Sequence, residues 1–113
     1  MSVPLYQAKA EFFRTLGHPA RIRILELLSE RDHAVHELLT AIDIEASNLS
    51  QQLAVLRRAV LVSQQRTGGE VRYALSVTQI RDLLQTARLI LGLLADDHLA
   101  LKRELRKTPR TPR

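Results

Sequence analysis

The chain has no cysteine and no tryptophan among its 113 residues, and only two phenylalanines and two tyrosines. Without cysteine there are no disulfides, no thiolate metal sites and no thiol redox chemistry, and a reducing compartment fits, so a cytoplasmic location is expected. With so few aromatics the core must be built from Leu, Ile, Val and Ala, and a hydrophobic content of 45% supplies enough of them. No long uninterrupted apolar run occurs, so no membrane span is expected. The opening "MSVPLYQAKAEFF" has no basic segment followed by an apolar one, so no signal peptide is expected. Paired carboxylates, a Ser–His spacing and a glycine-rich phosphate loop are also missing. The "TGG" at 67–69 is too short for such a loop, and we expect no enzyme.

Excess charge is missing too, over most of the length. Residues 1–100 hold 11 Lys+Arg and 11 Asp+Glu, while residues 101–113 hold 6 basic residues and 1 acidic one, so the whole net charge of +5 sits at the C-terminal end. The length suits one domain. We expect it over residues 1–105, followed by a basic flexible tail at 106–113 that is either solvated or a phosphate-seeking arm. A second local excess lies at Arg57, Arg58, Arg66 and Arg72, with Glu70 alone opposing them.

Apolar periodicity predicts helices over residues 5–16 (Leu5, Ala8, Phe12, Leu16), 19–30 (Ile22, Leu25, Leu28, widened by Ile24 and Leu27) and 34–42 (Val35, Leu38, Leu39, Ile42). Pro19 suits the first turn of the second, and His18 reads as the residue that starts it. A fourth helix begins near residue 46. The period then shortens: "LVSQQ" and "VRYAL" are β-prone runs around "RTGGE", the pattern of a tight hairpin. A long helix is predicted from about 77 to 105. Its seam is Ile80, Leu84, Ala87, Leu91, Leu94, His98, Leu101 and Leu105, at alternating spacings of 4 and 3. Such spacing favours pairing with another helix. A domain of this size does not easily cover a helix of about 40 Å, so a homodimer is expected. Its interface would use Leu5 and Phe12 of the first helix and Ile80, Leu84, Ala87, Leu91, Leu94 and Leu101 of the last.

The fourth helix, "ASNLSQQLAVLRRA", carries the functional signal. Leu49, Leu53, Leu56 and Val60 form a core stripe, while the other side presents Ser47, Asn48 and Gln51, then Ala54 and Val55, then Arg58. A solvated face would carry Glu and Lys. Two helices joined by a short turn and followed by a glycine-tipped hairpin is the order of a winged helix-turn-helix, mainly α, with about five helices and a two-stranded wing. In a major groove carboxylates would repel phosphate, amides read adenine through N6 and N7, hydroxyls adapt, and small residues allow close approach. Arg57, Arg58 and the wing arginines would hold phosphates and fix register. The alternative is a winged-helix module that engages an accessory protein and does not read DNA; it leaves the arginine clustering unexplained.

Three blocks, "FFRTLGHPARIRILELL", "SNLSQQLAVLRRAVLV" and "RTGGEVRYAL", resemble the ArsR/SmtB family of bacterial winged-helix regulators, over roughly residues 8–90. The resemblance implies a homodimer that binds two-fold symmetric operator DNA, often a repressor released by a metal ion. It implies recognition-helix contacts at Ser47, Asn48, Ser50, Gln51 and Gln52, and wing contacts at Arg66 and Arg72. Three departures stand out. The cysteines with which many members sense metal are absent. A common alternative site falls here on Val77, Gln79, Ile90 and Leu93, none of which ligates. Val60 stands where the family has a glycine at the end of the recognition helix, and a β-branched residue resists positive φ.

Metal donors remain at His33 and His36, spaced i, i+3 beside Asp32 and Glu37, and at His98 with Asp96 and Asp97. Imidazole with carboxylate suits Ni(II) or Zn(II). A loose resemblance to nickel-linked actinobacterial members puts nickel first. The bland readings are surface histidines, and at His98 a partly buried polar residue that sets helix register.

Overall fold

Alternating helical and strand periodicities give the order α1 Leu5–Leu16, α2 Pro19–Glu30, β1 His33–Ala34, α3 Val35–Ala41, α4 Ala46–Arg58, β2 Val62–Thr67, β3 Glu70–Leu75, α5 Gln79–Leu94 and α6 Leu99–Lys107. The structure, a computed structural model, describes residues 2–95 and 99–107, with the side chains of 99–102 left aside. The chain forms two compact units, residues 1–78 and 79–113. The packing thus divides after Thr78, within the stretch 1–105 expected as one domain, and α6 runs two residues into the expected tail.

In the first unit α2, α3 and α4 close on a core of Ile24, Leu25, Leu38, Leu49, Leu53 and Leu56, all fully buried. α2 starts as its sequence requires: Pro19 opens the first turn, and the His18 Nδ1 accepts the Ala20 N–H at 3.1 Å. α3 and α4 are joined by a short turn, with Ile42 ending the first and Glu45 preceding the second. The three-stranded antiparallel sheet has the order β1-β3-β2. β1 is an addition to the expected two-stranded wing. It pairs His33 with Tyr73 and Ala34 with Arg72, and a two-residue bridge leaves too little alternation to be seen in sequence. The hairpin register runs from Val62↔Leu75 to Thr67↔Glu70. Gly68 and Gly69 form its two-residue loop at φ +57° and +80°, the doubly left-handed turn that matches strand twist.

α4 ends in a Schellman motif. The Leu61 N–H donates to the Leu56 carbonyl and the Val60 N–H to the Arg57 carbonyl, both at 3.0 Å. The left-handed position is Val60, at φ +62°. The departure at this position is therefore a strained valine in the left-handed place of the cap. Leu56 and Leu61 are buried across it and hold the turn.

The second unit corrects the expected single helix over 77–105. α5 ends at Leu94 and α6 packs back on it: the Arg88 guanidinium donates to the Leu105 carbonyl, and a Cβ at Gly92 would lie 4.0 Å from the Leu105 Cδ1. In one straight helix, residues 92 and 105 would be about 20 Å apart. A heptad pattern is the same for one long helix and for two amphipathic helices joined by a turn, and neither Gly nor Pro marks the break. No helix among the described residues is long and apolar enough to cross a membrane.

Candidate nucleic-acid interface

α4 turns Leu49, Leu53 and Leu56 into the core and leaves Ser47, Ser50, Gln51 and Arg58 exposed, with Asn48, Ala54 and Val55 half-buried. No acidic residue lies in its first turn, and its N-cap residue Glu45 makes no side-chain cap hydrogen bond. Gln52 is corrected. It is only 9% exposed, accepts from the Arg21 Nη1 at 2.9 Å and donates to the Asn48 Oδ1 at 2.9 Å. It lies three residues after Leu49 and one before Leu53, on the inward side of the helix, and is not on the reading face.

The wing arginines separate. Arg66 stands opposite Val71 in the register, and Arg72 opposite Gln65. Neighbouring strand residues point to opposite faces, so Arg66 and Arg72 lie on opposite faces of the hairpin. Arg66 shares its face with Gln64, which accepts from the Arg57 guanidinium of α4. The exposed Arg58 and Arg66 make no ion pair among the described residues. Arg72, expected from sequence as a wing contact, is held within the protein. It donates to Glu70 at 2.9 Å and to the Asp32 carbonyl at 3.3 Å, and pairs with Glu37 at 3.7 Å. Its guanidinium is already engaged by two carboxylates.

That second face carries its own charge cluster. The Glu37 carboxylate accepts the Ala34 N–H at 2.8 Å and a fork from Arg31 at 3.1 and 3.4 Å. The Ala34 N–H, then Arg31, with Arg72 adding, lower its pKa from the usual 4.5 to about 2. Glu70 is also held below the carboxylate range, first by the His36 hydrogen bond at 3.0 Å and then by Arg72.

These contacts remove one proposed metal site. His33 is buried in β1, its Nδ1–H donating to the Arg31 carbonyl at 2.9 Å, while His36 is exposed and engaged with Glu70. No group of three His, Asp or Glu able to hold a metal occurs among the described residues. His33 and His36 therefore do not fit a Ni(II) or Zn(II) site. Asp96, Asp97 and His98 lie outside the described residues.

Of the expected interface residues, Leu5, Leu91 and Leu94 are exposed on one chain, as is Ala87, and Phe12 and Leu84 are half-covered. Ile80 is corrected to a core position, at 2% exposed within one chain. The Leu101 side chain lies outside the described residues. Sequence reasoning missed Arg21. Its partner is 31 residues away, and no local pattern signals such a contact.

A helix-turn-helix with a glycine-tipped wing and a neutral, carboxylate-free outer helix defines the class of winged helix-turn-helix DNA-binding regulators. The chain belongs to the arsR family of bacterial regulatory proteins, whose profile matches residues 18–64. It is similar to the HTH-type transcriptional regulator Rv0081 of Mycobacterium tuberculosis, 53% identical over 106 residues that make up 93% of each chain. The crystal structure of Rv0081 matches with a TM-score of 0.78 at 54% identity, over 87% of this chain and 99% of that one. The transcriptional repressor BigR from Xylella fastidiosa matches with a TM-score of 0.71 at 32% identity, over 75% of this chain and 87% of BigR. A homodimeric winged helix-turn-helix DNA-binding domain from Mycobacterium bovis matches at 0.65 and 26% identity, over 84% of each chain. The relatives are named as transcriptional regulators or repressors.

Proposed function

We propose that this regulator acts as a homodimer that reads a two-fold symmetric operator through α4. The observation that carries the reading is the outer side of α4, where Ser47, Ser50, Gln51 and Arg58 are exposed and no carboxylate intervenes. Arg57 and Arg66 join it through Gln64 on the adjoining face of the wing. Amides and hydroxyls distinguish base edges, and arginines at the helix end and wing hold the flanking phosphates. The homodimer is supported by the exposed apolar residues Leu5, Tyr6 and Phe13 on α1 and Leu89, Ile90, Leu91, Leu93 and Leu94 on α5. Exposed apolar helix faces of this kind mark an interface. Half-sites about 10 bp apart follow from the two-fold geometry.

The test is fluorescence anisotropy on a duplex from upstream of the protein's own gene against a scrambled duplex, with chelator present. We expect a preference of about a hundredfold or more, falling steeply with salt. Equal affinity for both duplexes rejects the reading. Ni(II) or Zn(II) enters as the proposed effector, with His98, Asp96 and Asp97 as its ligands, because their imidazole and carboxylate donors suit these ions. Nickel is expected to change operator affinity in the wild type and to leave His98→Ala unaffected; an unchanged response in His98→Ala removes these ligands from the proposal.

A further inference from the structure

Arg21 on α2 reaches both the end of α1 and the inner side of α4. Its Nε donates to the Thr15 carbonyl at 2.6 Å and its Nη1 to the Gln52 Oε1 at 2.9 Å; the Gln52 Nε2 donates to the Asn48 Oδ1 at 2.9 Å. A guanidinium carries only donors, whereas an amide has one end of each kind. The donor end of this chain is therefore set at Arg21. Gln52 must turn its oxygen toward Arg21, which leaves its nitrogen for Asn48. Asn48 must then turn its oxygen toward Gln52, which leaves its Nδ2 donors for whatever α4 meets. Gln52 is buried, so water cannot stand in for a wrongly turned amide.

We propose that Arg21 and Gln52 are positioning residues that determine base preference, by presenting Asn48 to DNA as a donor only. This rests on the DNA-reading role proposed for α4. The consequence is specific. A free asparagine reads adenine with both ends of its amide, accepting from N6 and donating to N7. The Asn48 oxygen is turned toward Gln52, which leaves the Nδ2 end for DNA, so Asn48 favours an edge made of acceptors alone. Guanine, with N7 and O6, comes first; cytosine, whose edge offers the N4 donor, comes last. Of the three amides expected from sequence to contact DNA, Gln52 is buried and Asn48 is engaged with it, so Gln51 keeps both ends available.

The substitution that isolates the effect is Gln52→Glu. A carboxylate only accepts, so it still receives Arg21, but it now requires Asn48 to donate inward and turn its oxygen outward. Operator selection from randomised half-sites is carried out on the full-length wild type, Gln52→Glu, Arg21→Met and Gln52→Glu/Asn48→Ala. In the wild type one position of the half-site should prefer guanine. In Gln52→Glu that position alone should shift toward adenine or cytosine by about tenfold. In Arg21→Met its preference should relax, and in the double variant the shift should vanish. The added negative charge weakens binding to all sequences alike, so ratios between bases are the readout. A wild type that discriminates operators while Gln52→Glu keeps the same preference at every position overturns the proposal.

Side-chain amide exchange in the DNA-free protein separates this failure from failure of the DNA-reading role. The Gln52 amide protons should be protected in the wild type and those of Asn48 unprotected. Protection should pass to Asn48 in Gln52→Glu. Asn48 protons already protected in the wild type overturn the relay whatever the DNA result. A protected Gln52 in a protein that does not discriminate duplexes leaves the relay as architecture and removes its role in specificity.

Discussion

Val60 is the residue where local chemistry and backbone disagree. The cap requires a left-handed residue, and a β-branched side chain at φ +62° is strained. At 68% exposed, the valine gains little burial in return. A non-glycine residue in this region costs about 1–2 kcal/mol, and glycine gives part of that back through its freer unfolded chain. Val60→Gly should raise stability by about 1 kcal/mol, read as a higher urea midpoint at unchanged slope. An unchanged midpoint would mean that the backbone bond from Leu61 to Leu56 holds the turn without strain at Val60. Side-chain roles on the reading surface separate in the same way. Gln51→Ala should cost ~1–3 kcal/mol of discrimination at one base position. Arg66→Ala should weaken all sequences alike and lower the salt slope by about one unit, while Arg72→Ala should leave that slope unchanged, because its guanidinium is held by Glu70 and Glu37. The opposite pattern for the two arginines would reverse the assignment of wing faces.

Among the elements, the junction of α3 with the wing is held by charge. Glu37 in α3 accepts from the Ala34 N–H of β1 and from Arg31, and pairs with Arg72 of β3. Its folded pKa of about 2 lies below the usual 4.5. A lowered carboxylate contributes stability above its unfolded pKa and loses it as pH falls through the folded one. The contribution should therefore be complete at pH 7 and disappear between about 4.5 and about 2. Glu37→Gln should be less stable than wild type at pH 7, with the gap narrowing as the pH approaches 3. A constant gap across that range, measured by urea unfolding, would show that the pairing with Arg31 and Ala34 does not persist in solution. The elements themselves were largely legible. α1 and α2 lie where the periodicity of Leu16, Leu25 and Leu28 puts them, because one face of each meets the core or its edge. β1 was not, since two residues carry no period. The turn after Leu94 was not either, since apolar spacing continues across it.

On the scale of the whole molecule, the unresolved balance is apolar surface. α5 buries Ile80 and leaves Leu93 at 78% exposed, and α1 leaves Leu5 at 69%. Leu93→Lys should convert the dimer to a monomer in sedimentation with its helix content intact, because the side chain contributes little to the folded single chain. Operator affinity should fall with it, since two half-sites are then no longer engaged together. A variant that remains dimeric would place the interface elsewhere.

What the sequence alone determined was everything set by period and by local backbone chemistry. The helix-turn-helix, the glycine turn and the carboxylate-free face of α4 are each encoded within a few neighbouring residues. Only the tertiary structure decided which polar groups remain available. Gln52 and Arg72 read as binding residues in one dimension. The Gln52 partner Arg21 lies 31 residues away, and Arg72 adds Glu37 of α3 to its strand neighbour Glu70. A hydrogen-bonding group's role depends on which partner already occupies it, and folding alone brings those partners together.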